Sequence, residues 1–453
     1  MAKSPKTAFI CQQCSYKSPK WIGKCPSCNT WNSFVEEIIP PKSSSLATSL
    51  SLNEFEVIDL EEVNPIDAER IQLKYTEFNR VLGGGLVKGS ILLLGGEPGV
   101  GKSTLMLQTA MQLPDKKVLY VSGEESPAQI KMRAERLGEI NSKIILYTGT
   151  VIENILAAAE KTEPDILIID SIQTIYTDLI ASGPGSVGQV RACAQLLQRY
   201  AKQSQVPVIL IGHITKEGSI AGPMALEHIV DVVLQFEGDN NHYYRLLRTK
   251  KNRFGSASEL GVFEMDSRGL LEVKDPSSIL LSDDYGNASG VAITAMNEGS
   301  RTLMLEIQAL AANSVYSSPQ RIATGFDIRR MHMLIAVLEK KLGYRLGQKD
   351  IFLNIAGGIK LVDPAADLAI IIAIISSVSD ISVDSKSCFI GEISLSGQIR
   401  PVSNIQMRIS EVEKLGFNKL YISKYQQQFE TKSNINAIRV ANVNELIKLA
   451  FSS

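Results

Sequence analysis

ILLLGGEPGVGKST, residues 91–104, decides the reading of this chain. Ile91–Leu94 is an apolar run of strand length, and it feeds directly into a glycine-rich turn that fits G-x4-G-K-[ST] without a mismatch. Gly96, Glu97, Pro98, Gly99, Val100, Gly101, Lys102, Ser103 and Thr104 form the predicted nucleotide cradle. Glycines let backbone N–H groups curl around phosphate oxygens, and the helix that begins near Lys102 aims its positive end at them. Lys102 is expected to neutralise the β- and γ-phosphates, and Ser103 to offer its hydroxyl to Mg²⁺.

Four more apolar runs lie downstream: Lys117–Val121, Asp165–Ile169, Val206–Ile211 and Val230–Phe236. Short apolar strands separated by amphipathic segments imply an α/β domain whose mostly parallel sheet is covered on both faces. Asp170, closing ILIID, is placed to hold Mg²⁺ opposite the phosphate loop. In YVSGEES, Glu124 is the expected catalytic carboxylate that orients the attacking water, with Glu125 as a solvated neighbour. His213, after VILIG, is a candidate γ-phosphate sensor or a structural histidine.

Upstream, Cys11, Cys14, Cys25 and Cys28 have the spacing C-x2-C-x10-C-x2-C. Each pair can turn two thiolates toward one point, and two pairs complete a tetrahedral cage, so a small rubredoxin-like zinc ribbon is predicted. Through Val35 the module carries Lys3, Lys6, Lys17, Lys20 and Lys24, no acid, and both tryptophans, Trp21 and Trp31. Those indoles either meet a nucleic acid or protein partner or cover a core too small to close alone. Cys193 and Cys388 stand apart and read as buried apolar residues. Pro40–Glu56 is rich in Ser and Pro without periodicity and reads as a tether. Lys+Arg 47 against Asp+Glu 48 gives a net charge of −1, so no global basicity advertises nucleic acid, although a local patch can still serve it. The apolar run Leu368–Ile375 is too short for a bilayer, which needs ~20 residues. No apolar segment precedes the first cysteines, so no secretory signal is expected and the chain reads as cytoplasmic, with no membrane partner.

FNRVLGGGLVKGSILLLGGEPGVGKSTL resembles the opening of the RecA/KaiC/DnaB-type ATPase core, and KNRFG at Lys251–Gly255 resembles the signature of the RadA (Sms) family of bacterial recombination and repair proteins. With the ribbon in front, that resemblance covers essentially the whole chain. It implies rings or filaments, with a hexameric ring as the expected homo-oligomer, ATP held between neighbours and Lys251 and Arg253 reaching a γ-phosphate on the adjacent subunit. It further implies single-stranded and branched DNA as substrates, RecA recombinase as partner, and extension of branched intermediates by strand migration. DNA contact would come from Ala181–Arg191, with Gln189 and Arg191, and from Thr215–Pro223, with Lys216. On residue chemistry alone, RTKKNRFG also reads as a wet basic hairpin turn, and Arg248, Lys250, Lys251 and Arg253 as contacts to DNA phosphates.

Beyond Lys274–Ser278 an α+β pattern follows, with strands in TLMLEIQAL, IFLNIAGGI and SCFIGEISL and helices in RMHMLIAVLEKKLG and DLAIIIAIISSV. GEISLSGQIRPVSNI and VDPAAD resemble the proteolytic domain of Lon. The nucleophilic serine position of that family falls on Ala365 and the lysine position on Gln406, so the dyad is missing and proteolysis is not expected. A scaffold is left, in which Lys340, Lys341, Arg345 and Lys349 either line a DNA path or form a solvated helix face. The expected organisation is a ribbon at 1–39, a linker at 40–60, a RecA-like P-loop ATPase domain at 61–275 and a Lon-protease-like domain at 276–453. The leading expectation is a DNA-dependent ATPase; a KaiC-like signalling ATPase and an ATP-dependent protease are the alternatives.

Overall fold

Ile91 and Leu93 join one buried cluster while Leu92 and Leu94 join another, and all four are fully inaccessible. A strand buried on both faces must lie inside a sheet covered twice, and the sheet around it is built that way. In this computed structural model, residues 6–11, 16–27, 29–39, 69–140, 143–213, 226–238, 244–281, 288–315, 318–431 and 435–451 are described. The chain divides into two units, Met1–Glu272 and Val273–Ser453.

The central sheet of the first unit has nine strands, in the order Gly269–Glu272, Leu260–Asp266, Tyr244–Asn252, Val232–Gly238, Ile91–Gly96, Val208–His213, Ile166–Asp170, Lys117–Ser122 and Lys143–Thr148. From Val232–Gly238 to Lys143–Thr148 every pairing is parallel. The three strands at the other end are antiparallel. The five strands expected from sequence are present, most with shifted ends: Asp165 and Val206–Pro207 precede their strands, and Asp170 is the last residue of its own. Lys251 and Asn252 belong to a strand and not to a hairpin turn. A register shift at Val233/Leu234 leaves Lys250 as the extra residue opposite that step, and such a bulge re-aims the side chains beyond it.

The ribbon contributes three antiparallel strands, Lys6–Cys11 flanked by Lys17–Ser18 and Phe34–Ile39. Residues 40–68, which include the expected linker, lie outside the described residues.

The second unit is a mixed seven-stranded sheet, ordered Arg321–Thr324, Lys349–Ile355, Arg301–Asn313, Val291–Glu298, Ser387–Ile390, Lys419–Ser423 and Asn436–Val440. Helix Asp367–Ser379 is buried from Asp367 to Ser376 without a break. That accounts for the apolar run Leu368–Ile375 as the inside of a domain. Among the described residues no helix is long and apolar enough to cross a membrane.

Candidate nucleotide site

Gly96 ends the central strand where a side chain has no room: a Cβ there would sit 2.5 Å from the carbonyl oxygen of Phe236. Gly99 and Gly101 follow at φ 79° and 110°, in the left-handed region that glycine tolerates. The helix Lys102–Met111 begins immediately, so its first N–H groups face the loop. Glu97, Pro98 and Gly99 are exposed and Val100 is buried, while Ser103 and Thr104 are half-buried at the first helical turn.

Lys102 is only 4% exposed. Its ammonium donates to the carbonyls of Gly96 (2.9 Å) and Glu97 (2.8 Å) and lies 3.2 Å from Nδ1 of His213. Burial pushes its pKa down to about 8, against the upward pull of Asp170 and Glu124. A buried cation in a cradle of glycines fits a polyphosphate, whose charge would replace the lost hydration.

Asp170 sits two strands away and accepts a 2.6 Å hydrogen bond from the hydroxyl of fully buried Tyr120. Burial, then the Asp170 charge, raises the Tyr120 pKa well above its ordinary value, so the phenol stays a donor. Next along the chain, Ser171 donates from Oγ to Oε1 of Glu124 at 2.7 Å, and Nε2 of His213 lies 3.6 Å from the same oxygen. Glu124, half-exposed, therefore belongs to the cluster. Glu125 does not: it is ion-paired to Arg133 at 2.8 Å, which corrects its reading as a merely solvated neighbour. Gly123 allows this crossing, because a Cβ there would sit 2.0 Å from Oγ1 of Thr174. Lys102, Glu124 and His213 thus converge with Ser171, which sequence reading missed because a serine after a strand-ending aspartate carries no distinguishing spacing. A carboxylate, a hydroxyl and a cradle of N–H groups make a set that fits Mg²⁺ with a nucleotide.

Lys251 and Arg253 are far from that cluster. Asn252 pairs with Val232, at the start of the strand that neighbours Ile91–Gly96, whereas the phosphate loop follows that strand's end. The Lys251 ammonium donates to the carbonyls of Val230 (2.8 Å) and Glu227, and Arg253 pairs with Asp231 at 3.3 Å.

Of the two candidate DNA loops, Thr215–Pro223 lies outside the described residues. In the first, Gln189 is buried and its carboxamide binds Thr177, Ile180 and Ser182 backbone atoms, so it staples the loop and is unavailable to DNA. Arg191 is exposed.

In the ribbon, Cys11 and Cys25 are fully buried beside Phe34. Their amides donate to Tyr16 and Thr30 carbonyls, each at 2.9 Å, which sets each thiol at the mouth of a turn. Two buried thiols held this way fit one half each of a thiolate cage. Cys14 and Cys28 lie outside the described residues. Trp21 and Trp31 are 52% and 68% exposed, which removes the reading that they close a core. Cys193 and Cys388 are fully buried, and burial raises the thiol pKa of each, that of Cys193 to about 12.

In the second unit, Ala365 is buried on a turn, and the carboxamide of Gln406 is bound at both ends to the backbone of Glu430 (2.8 and 2.9 Å). Arg408, the largest fully buried side chain among the described residues, pairs with Asp363 at 2.7 Å. Gln406, Arg408 and Asp363, next to the positions where the dyad would stand, are thus held by internal bonds. Lys340, Lys341 and Arg345 are exposed, while half-buried Lys349 donates to Asn313 at 3.1 Å.

Comparison with known proteins gives three family matches along the chain: "Rubredoxin metal binding domain" over residues 9–36, "AAA domain" over 59–219 and "Subunit ChlI of Mg-chelatase" over 295–426. The DNA repair protein RadA of Bacillus subtilis is 47% identical over 99% of both chains. That of Streptococcus pyogenes serotype M6 is 46% identical over 100% of both, and that of Listeria monocytogenes 44% over 99% of both. A solved KaiC-like protein of Pyrococcus horikoshii aligns with 46% of this chain and 99% of its own at 21% identity and a TM-score of 0.39, too distant to bear on function.

Proposed function

The chain belongs to the RadA family of bacterial DNA repair proteins and is an ATP hydrolase, and from that premise we propose a DNA-dependent motor of homologous recombination. On this reading it forms a hexameric ring, acts on single-stranded and branched DNA, and drives branch migration beside RecA recombinase.

The observation that carries the reading is the separation of two sets of cations along one strand. Lys102 lies beyond its end, at the phosphate loop, and Arg253 is held near its start through Asp231, whose carboxylate accepts from the amide of Ile91 at 3.0 Å. Six strand residues span roughly 17–20 Å at ~3.3 Å each, beyond the reach of an arginine side chain. Lys251 and Arg253 are therefore poised for a phosphate held by another subunit, and their cations would stabilise charge spreading over its oxygens. An ATPase that completes its site only with a neighbour in place is suited to a ring.

Within one subunit, Lys102 would neutralise the β- and γ-phosphates, and Glu124 would orient the attacking water and take its proton on the carboxylate. Ser171 and His213 fix that carboxylate's position. Mg²⁺, held by Ser103 and Asp170, would supply charge neutralisation at the phosphates when bound. Zn²⁺, held by Cys11, Cys14, Cys25 and Cys28, would close the ribbon. Lys102→Ala is expected to abolish both hydrolysis and branch migration; migration that persists in this variant refutes the motor.

A further inference from the structure

Asp231 is almost fully buried, 3% exposed at its side chain, and its carboxylate joins three separate parts of the fold. Oδ1 meets Nη1 of Arg253 at 3.3 Å, while Oδ2 accepts from the amide of Ile91 at 3.0 Å and from Lys202 at 3.1 Å. Its backbone repeats two of these links: its N–H donates to the carbonyl of Ile91 at 2.8 Å, and its carbonyl accepts from the amide of Arg253 at 3.2 Å. Ile91 opens the strand that ends in the phosphate loop. Lys202 lies in the last turn of helix Val187–Ser204, whose second turn begins with Arg191 of the candidate DNA segment. A residue with five bonds to three elements is over-determined in position, and so is what it holds.

We propose that Asp231 is a positioning residue that holds Arg253 against the start of the phosphate-loop strand, so that one subunit's finger is set relative to its own nucleotide site while serving a neighbour's. The inference rests on the reading that Arg253 acts on a phosphate of another subunit. The Arg253 side chain stays 55% exposed although Nη1 is paired, so Asp231 grips one edge and presents the remainder. Removing the negative charge leaves Arg253 a long, mobile cation with many rotamers, and a misplaced finger fails in the transition state more than in ground-state binding.

The test is steady-state ATP hydrolysis by the full-length protein with single-stranded DNA, comparing Asp231→Asn, Arg253→Ala and the double variant. Asn keeps the shape and one acceptor but loses the charge. The expected result is a kcat lowered about 10-fold or more in Asp231→Asn, with KM for ATP changed less than twofold. The double variant should be no slower than Arg253→Ala alone, because Asp231 acts through Arg253. Unchanged kcat in Asp231→Asn, or effects that multiply independently in the double variant, overturns the proposal. Unchanged kcat in Arg253→Ala instead overturns the finger itself, so the two failures are distinguishable. If Asp231→Asn does not fold, Asp231→Glu keeps the charge but displaces it by one methylene; lowered kcat at constant KM is again expected, and wild-type kcat overturns the proposal.

Discussion

Ser171 donates a hydrogen bond to Oε1 of Glu124 across 2.7 Å, joining the start of one strand's exit loop to the loop that follows the neighbouring strand. The bond fixes which way an otherwise half-exposed carboxylate points, and a general base is useful only when it points at the water. Glu124→Gln keeps the shape and removes the basicity, so kcat should fall about 100-fold or more with nucleotide affinity retained. Ser171→Ala removes a single orienting bond, worth about 1 kcal/mol, and should lower kcat only about fivefold. Equal losses in the two variants, measured by steady-state hydrolysis, would contradict this division of roles.

Lys102 gives a proton-linked signature. Its folded pKa of about 8 lies below the ordinary 10.5, because burial disfavours the charged form. Below pH 8 the nucleotide-free lysine is charged, and between about 8 and 10.5 it is neutral while the unfolded chain remains protonated. The native state then binds fewer protons than the unfolded one, so stability rises with pH through that window. Triphosphate binding restores the charged form. Calorimetric titration of ATP at pH 9, in two buffers of different ionisation enthalpy, should therefore show proton uptake approaching one per site. Lys102→Met should show none, and equal uptake in that variant would assign the proton elsewhere.

Gly96 tests the cradle's shape. A methyl group at this position meets the backbone oxygen of Phe236 at 2.5 Å, and that oxygen belongs to a paired strand that cannot swing away. Gly96→Ala should cost about 1–3 kcal/mol in denaturant unfolding and weaken nucleotide binding. A variant with wild-type stability and binding would show that the strands part easily.

In the second unit, the Arg408–Asp363 pair is largely buried, so its two charges depend on each other. Arg408→Met leaves Asp363 with its amide partners but without its counter-charge, and should cost about 3–5 kcal/mol. Adding Asp363→Asn should recover part of that loss, since a neutral carboxamide oxygen still accepts from a backbone amide and needs no counter-charge. A loss below 1 kcal/mol in the single variant would mean that water reaches the pair.

The parts of the fold that could be read from sequence are those whose physics is local. ILLLGGEPGVGKST announces its strand, its turn and its helix because phosphate binding demands all three in succession. Glu124 and Asp170 were legible as acids at strand ends. Tyr244–Asn252 does not read as a strand, because a half-buried antiparallel strand rich in Lys and Arg lacks the apolar run that marks a buried parallel one. Gln189 misleads for a related reason: a polar residue after a run of small ones looks solvent-facing until its place in the helix Val187–Ser204 and the carbonyls it ties together are known. Asp231 gave no signal, since its partners Ile91, Lys202 and Arg253 are separated by most of the domain.

The central claim is that the phosphate site and a DNA site belong to one coupled machine. The most direct measurement is ATP hydrolysis by the purified protein with and without single-stranded DNA across a salt series, with Lys102→Ala as the blank. The account requires stimulation by DNA that weakens as salt rises, because the contact is to phosphates. A rate indifferent to DNA at every salt concentration would contradict it.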